Sequence, residues 1–350
     1  ISLKRILIIK VKNMKLFSGS TNYDFSLKVS EHLDCELSSL KLDRFKDGEI
    51  RINIEKSVRQ EDCFIIQPTC RNGDNSVNDS IIELLIIVDA LKRGSAKSVN
   101  VVIPYFGYQR QDRKDYSRAP ISASVVARCL ESQNINRVIV YDLHAGQISG
   151  FFSNNCPLDN LYVEQYFINY IQKYILTDIN IDDLVIVSPD EGAVKTNNRV
   201  ASKLCCNAAT IFKNRNADCE IDTMNLMGDV SGKHVIMLDD IIDTAGTACK
   251  AAEVLKENGA KDIYFMASHG LLSGNALEKI NSSCFSKVII TNTVPYLQDT
   301  FNCKLIDIID VSWLCSESIR RVQEGNSLTV LYDSVDNVCT YEFDVKVLNN

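Results

Sequence analysis

Short apolar runs recur along the chain, and most are followed by a stretch with helical spacing. Runs of strand length fall at 15–18, 50–54, 63–67, 99–104, 138–143, 184–188, 209–212, 235–240, 263–267, 288–292 and 305–309. Between many of them, apolar residues recur at three- and four-residue intervals, over 76–92, 121–131, 161–174, 194–204, 247–257 and 311–322. The run Val235-Ile236-Met237-Leu238 is apolar at every position rather than at every second one, which predicts a strand buried on both faces. Strand and helix in alternation predict an α/β fold with parallel sheets flanked by helices. The polar stretch 154–159, with Cys156-Pro157 inside it, is the best break in the pattern. It predicts one domain over 14–160 and a second over 161–333, with 1–13 and 334–350 as extensions without an assigned role. The two halves have similar strand–helix order, which predicts two tandem domains of one fold.

The run at 235–240 ends in two carboxylates, Asp239 and Asp240. A turn of small residues follows, Asp243-Thr244-Ala245-Gly246-Thr247, and then a helical pattern up to Gly259. A strand that enters an amide-rich turn at a helix N-terminus presents free N–H groups and the positive end of a dipole to an anion. Carboxylates beside it accept hydrogen bonds from neutral hydroxyls. Together the two parts suit a ribose 5-phosphate. The plainer reading of two acids at a strand end is a helix cap and a solvated terminus.

Four further places carry candidate chemistry. The turn Arg44-Phe45-Lys46-Asp47-Gly48-Glu49 reads alone as a hairpin with Gly48 at positive φ. The loop from Pro104 to Asp115 follows a buried strand and combines Tyr105, Phe106 and Tyr108 with Arg110, Gln111, Arg113 and Lys114. Aromatic and guanidinium planes stack on a nucleobase, and the cations meet a polyphosphate. The strand at 138–143 runs into Asp142 and His144, which suit Mg²⁺ or its surroundings, although a lone His there is more often structural. Ser188-Pro189-Asp190-Glu191-Gly192-Ala193 repeats the sequence of strand, acid, small turn and helix. Downstream, Lys213 and Arg215 project to one side of a strand end, as a phosphoryl-type transition state requires.

Composition narrows the classes. A net charge of −7 and a pI near 5.3 exclude a global field for nucleic acid or anionic lipid, so anionic substrates must be met by local basic groups. The longest apolar stretch, 81–91, includes Glu83 and Asp89 and is too short to span a bilayer. The thirteen cysteines are dispersed, odd in number and form no C-x-x-C, which predicts small buried thiols in a reducing, cytoplasmic compartment. Residues 1–13 do not read as a secretory signal, because Lys10 and Lys12 interrupt the apolar segment. Residues 228–233 are one residue too short for a phosphate-binding P-loop, and His234 stands where Ser or Thr is needed.

The string DDIIDTAGT resembles the ribose-phosphate loop of type I phosphoribosyltransferases. From Met14 to about Asp333 the chain resembles the ribose-phosphate pyrophosphokinases, the phosphoribosyl pyrophosphate (PRPP) synthetases. FKDGEI, IIELLIIVDALKR, VVIPYFGYQRQDRKD, DLHAGQISGFF, VSPDEGAV, DDIIDTAGT and SHGLLSG occur in that family's order. The resemblance implies two phosphoribosyltransferase-like domains and transfer of the diphosphoryl group of Mg·ATP to ribose 5-phosphate, releasing AMP. It implies that Phe45, Asp47 and Glu49 form an adenine loop lent to a neighbouring subunit, and that Arg110 and Gln111 also bind ATP. His144 and Asp190 would ligate magnesium, with Asp142 nearby. Lys213 and Arg215 would lie on a catalytic flap, and Arg215 would also reach the sugar phosphate. Asp239 and Asp240 would hold the ribose hydroxyls, and Asp243, Thr244, Ala245, Gly246 and Thr247 the 5-phosphate. A dimer-based hexamer and activation by inorganic phosphate are implied in the same way.

The sequence departs from the family in two places. Ala193 stands where a second glycine is usual, and two extra residues occur near Ser153–Cys156. Two other readings compete. A phosphoribosyltransferase that uses PRPP shares the DDIIDTAGT loop but lacks the FKDGE and YQRQDRK loops. A non-catalytic PRPP synthetase-associated subunit usually has an insertion near the flap or altered catalytic positions, whereas Lys213 and Arg215 stand here.

Overall fold

The structure is a computed structural model. It describes residues 14–215, 221–331 and 347–348, with side chains throughout except at 213–215 and 221–223. The extension 1–13, and all but two residues of 334–350, lie outside the described residues. Two compact units divide the chain. The first runs up to Tyr162 and takes in again Thr293–Pro295 and the stretch from Val311 through the helix Ser312–Glu324. The second holds Val163–Asn292 and Tyr296–Asp310.

The first unit contains β1 (Met14–Ser18), β2 (Leu40–Arg44), β3 (Ile50–Ile54), β4 (Asp62–Ile66), β5 (Ser98–Ile103), β6 (Arg137–Tyr141) and β7 (Leu158–Leu161). Five of these form a parallel sheet in the order β1-β4-β5-β6-β7, while β2 and β3 pair as a separate antiparallel hairpin. Helices Val77–Arg93 and Ser122–Glu131 bury Leu84, Ile87, Leu91, Ala127 and Leu130 in one core with Ile65, Val101 and Val140 of the sheet. Helix Val77–Arg93 begins in a capping box, with the Ser76 side chain and Asp79 satisfying each other's backbone N–H groups. The last helix belongs to this unit because it packs against the helix Tyr23–His32. Arg320 Nη2 donates to His32 O at 2.9 Å, and Gln323 Nε2 donates to Asp62 Oδ2 at 3.2 Å.

The second unit contains β8 (Leu184–Ser188), β9 (Asn207–Arg215), β10 (Ile221–Met227), β11 (His234–Ile242), β12 (Ile263–Gly270), β13 (Lys287–Thr291) and β14 (Ile306–Ile309). They form one sheet in the order β10-β9-β8-β11-β12-β13-β14, parallel except for the β9–β10 pair. The apolar run of β11 is buried on both faces, as its unbroken pattern predicts. Helix Gly246–Glu257 packs Ala248, Ala251, Ala252 and Leu255 into a core with Val187, Met237, Phe265 and Ile290.

Each predicted apolar run lies on a strand, but β2, β7 and β10 are not predicted by the pattern. β7 (LDNL) is short and half polar. β10 lies at the sheet edge, where Met224 and Leu226 are half-buried and Asn225 and Met227 exposed, a weak alternation. The predicted helix at 161–174 is shorter than its pattern: an α-helix over Glu164–Tyr170 widens into a π turn over Ile171–Ile175. The extra residues near Ser153–Cys156 form a turn closed by Cys156 N to Ser153 O at 3.0 Å, with Cys156 itself buried.

Candidate active site

In the second unit two strand tips stand side by side, because β8 and β11 pair in parallel with Val187 opposite Met237. The first tip leads into Ser188-Pro189-Asp190, the second into Asp239-Asp240. Asp190 Oδ1 accepts from Ala193 N at 3.2 Å, which closes the turn before helix Val194–Leu204. Ala193 has φ −82°, open to any residue, so alanine is accommodated without strain where a glycine is usual. From that helix the buried Asn197 donates through Nδ2 to Ala193 O at 2.9 Å and to Leu238 O at 3.0 Å, joining the two tips.

The acids at these tips act on one another. Burial pushes the Asp239 carboxyl well above its ordinary range, and the neighbouring charges of Asp240 and Asp190 push it further. Asp240 N donates to Asp239 Oδ1 at 2.9 Å. Beyond them the turn 243–247 rises to the start of helix Gly246–Glu257. Ala245, buried and at φ +59°, is the residue that turns the chain, and Cys249 N donates back to its carbonyl at 2.9 Å. The turn is braced by Ser273 N, which donates to Asp243 O at 3.0 Å, and by Lys279 Nζ, which donates to Thr244 O at 3.1 Å. Strand tips, acids and small-residue turn thus occur together as the sequence predicts. Lys213 and Arg215 lie on β9, opposite Met224 and Ile221 of β10. Their side chains lie outside the described residues.

In the first unit the hairpin turn has the expected form. Gly48 has φ +97°, Gly48 N donates to Phe45 O, and Phe45 N donates to Glu49 O, both at 2.9 Å. Asp47 Oδ1 accepts from Glu49 N at 3.2 Å. Phe45 is 52% exposed, and the Arg51 guanidinium lies 5.8 Å from its ring centroid. Arg44 fastens the hairpin to the start of helix Val77–Arg93, donating to Gly48 O (2.7 Å), Asn75 Oδ1 (2.9 Å) and Asp79 Oδ1 (3.0 Å). The first residues of that helix line a cavity of about 600 Å³ together with Tyr105, Tyr108, Arg110 and Gln111. Gly107 allows the loop to sit there, since a Cβ at that position would stand 2.4 Å from Thr69 O. Tyr108 Oη donates to Asn78 Oδ1 at 2.5 Å, and Ser122 Oγ donates to Gln111 Oε1 at 2.6 Å. Arg113 is paired with Asp115 in the exposed part of the loop.

Asp142 follows β6 at φ +38°, and His144 follows it on an exposed loop. The buried Gln109 Oε1 accepts from His144 N at 3.0 Å, and Gln147 donates to Asp112, so the loops after β5 and β6 are laced together. Among the described residues no three His, Cys, Asp or Glu side chains are grouped to hold a metal by themselves. Ser76, Asn78, Asn197, Gln109 and Lys279 escaped sequence reasoning. Only Ser76 carried a local signal, the Ser-x-x-Asp spacing of a capping box.

The fold and these two sites define a two-unit α/β protein with a cavity of about 600 Å³ on one unit and, on the other, a strand tip of paired acids that runs into a small-residue turn at a helix start. Residues 14–133 match the N-terminal domain of ribose phosphate pyrophosphokinase, and 197–333 match the phosphoribosyl synthetase-associated domain. The chain is 42% identical to ribose-phosphate pyrophosphokinase A of Dictyostelium discoideum, over 91% of this chain and 98% of that one. It is 44% identical to the ribose-phosphate pyrophosphokinase of Helicobacter hepaticus, over 92% of this chain and 100% of that one. The crystal structure of phosphoribosylpyrophosphate synthetase from Mycobacterium smegmatis superposes with a TM-score of 0.83 at 35% identity, covering 90% of this chain and 100% of that one. The chain belongs to the ribose-phosphate pyrophosphokinase family.

Proposed function

We propose that this chain transfers the diphosphoryl group of Mg·ATP to the anomeric hydroxyl of ribose 5-phosphate, giving PRPP and AMP for nucleotide biosynthesis. The observation that carries the reading is the β11 tip, where a carboxyl pushed up by burial and by its neighbouring acids adjoins a turn at a helix start. Asp239 and Asp240 take the ribose hydroxyls, and Asp243, Thr244, Ala245, Gly246 and Thr247 enclose the 5-phosphate. On the first unit Arg110 and Gln111 bind ATP in the cavity they line. The exposed ring of Phe45, with Asp47 and Glu49, is suited to cover the adenine of a neighbouring subunit's nucleotide. That arrangement requires a homo-oligomer, and a dimer-based hexamer is the form proposed.

In the transfer, the oxygen on C1 attacks the β-phosphorus while the bond from that phosphorus to the α,β-bridging oxygen breaks. The bridging oxygen leaves on AMP with the electron pair, and the hydroxyl proton is released. No side chain becomes a nucleophile. Lys213 and Arg215 stabilise the charge that gathers on the transferring group. Mg²⁺ bound with ATP supplies further positive charge on the phosphates. His144, Asp142 and Asp190 are the residues that would hold it. Magnesium bound with a polyphosphate takes carboxylate oxygens beside the phosphate oxygens, and Asp142 and Asp190 would offer such oxygens. A cytoplasmic location and activation by inorganic phosphate complete the proposal.

Phosphorus NMR of the purified protein with ATP, ribose 5-phosphate and Mg²⁺ tests it. AMP and PRPP should rise together. ADP as product, or no change in the nucleotide, would overturn the reading.

A further inference from the structure

The string SHGLLSG, at 268–274, has no part in the scheme above. It is hydrogen-bonded to the end of β11 and to the turn that follows. Leu271 N and Leu272 N donate to Ile242 O at 2.8 and 3.3 Å, and Ser273 N donates to Asp243 O. Leu272 (φ +49°) and Gly274 (φ +63°) then reverse the chain into the short helix Ala276–Asn281. That helix returns along the turn, and Cys249 Sγ meets Lys279 O at 3.8 Å. The half-buried Lys279 thereby places Nζ 3.1 Å from Thr244 O and 3.7 Å from the point that a Cβ on Gly246 would occupy.

We propose that Lys279 supplies the positive charge that binds the 5-phosphate of the sugar substrate. The inference rests on the assignment of the turn 243–247 to that phosphate. Residues 239–247 contribute three carboxylates and no basic side chain, so the turn by itself presents a dianion with net negative surroundings. Backbone N–H groups and the helix N-terminus supply only about half a positive charge, which offsets part of a dianion's charge and leaves the rest unmatched. An ammonium group has three protons, and the carbonyl of Thr244 uses one, which leaves two for phosphate oxygens. A sugar without a 5-phosphate makes no use of this group, so Lys279 also sets specificity for the phosphorylated substrate.

The alternative is a purely structural brace on Thr244. Steady-state kinetics separates the two. Lys279→Gln keeps a donor but loses the charge, and Lys279→Arg keeps the charge. With Gln, KM for ribose 5-phosphate should rise about tenfold or more while kcat and KM for ATP stay within about twofold. Arg should restore most of the affinity, and added salt should raise KM more in the parent protein than in Lys279→Gln. Equal KM values for Gln and the parent protein would overturn the inference. Thr244→Val and Thr247→Val serve as the parallel test of the turn. If they raise KM for ribose 5-phosphate and Lys279→Gln does not, only the role of Lys279 falls. If none of the three does, the placement of the phosphate falls with it.

Discussion

In the first unit β1 is followed by the hairpin β2–β3 and then by β4, which lies beside β1. In the second, β8 is followed by the hairpin β9–β10 and then by β11, which lies beside β8. Three more parallel strands complete each sheet in chain order. The hairpins differ: β9 joins the second sheet by pairing with β8, whereas β2–β3 forms a separate two-stranded sheet that packs Leu40, Leu42, Ile52 and Ile54 against the core, and Leu37 before it bridges to Leu16 of β1. The acids differ as well. Asp79, at the first unit's candidate site, is held down to about 2 by the hydroxyl and N–H of Ser76 and by Arg44. Asp239, on the second unit's strand tip, is pushed up by burial and by two neighbouring carboxylates. One acid already has its partners and serves the frame; the other has one backbone N–H set against burial and two neighbouring carboxylates, which is how ligand-binding groups are commonly held. Equivalent topology therefore supplies two platforms, and the loops decide their chemistry.

The sharpest way to break this contrast is at the end of β9. Lys213→Ala should lower the turnover of PRPP synthesis by about 10²–10³, the range for removing one preorganised donor. A near-normal rate would remove Lys213 from the catalytic group. Next, Asp239→Asn should raise KM for ribose 5-phosphate about tenfold and at the same time raise the melting temperature near neutral pH. The sign follows from the raised carboxyl: its ionisation costs stability above the ordinary value of 3.8, and that cost vanishes as pH falls below it. The thermal gain should therefore disappear in acid, as a pH series of melting scans would reveal.

On the first unit the sign reverses. Asp79 contributes stability above its ordinary 3.8, lost as pH falls toward about 2. Ser76→Ala removes the N-cap of helix Val77–Arg93 and should cost about 1 kcal/mol in denaturant unfolding, with only a modest rise in KM for ATP. A large kinetic effect without loss of stability would make Ser76 a nucleotide ligand instead. The smallest effect concerns thiols. Burial raises Cys70 and Cys315 to about 12, so peptide mapping after mild alkylation of the native protein should find both unmodified and the exposed Cys129 and Cys205 labelled.

Much of this was legible in the residues. The buried strands are written as unbroken apolar runs, and β8, β11 and β12 could hardly be mistaken. The turn at Gly48 and the small-residue loop at 243–247 carry their own local chemistry, so both are found where the spacing puts them. What was hidden depends on tertiary pairing. β7 is polar and short, and becomes a strand only because β6 offers it an edge. The last helix follows the second unit's final strand, yet its partner is the helix Tyr23–His32, a pairing that no linear pattern records. Asn197 and Lys279 act through carbonyls 41 and 35 residues away, so their positions look like ordinary helix surface in the sequence.

Isothermal titration of two variants, Arg110→Ala and Thr244→Val, with a non-hydrolysable ATP analogue and with ribose 5-phosphate tests the division of labour most directly. The account predicts a crossed result: Arg110→Ala weakens the nucleotide and spares the sugar phosphate, and Thr244→Val does the reverse. Variants that weakened both ligands equally, or Thr244→Val binding ribose 5-phosphate as the parent protein does, would contradict it.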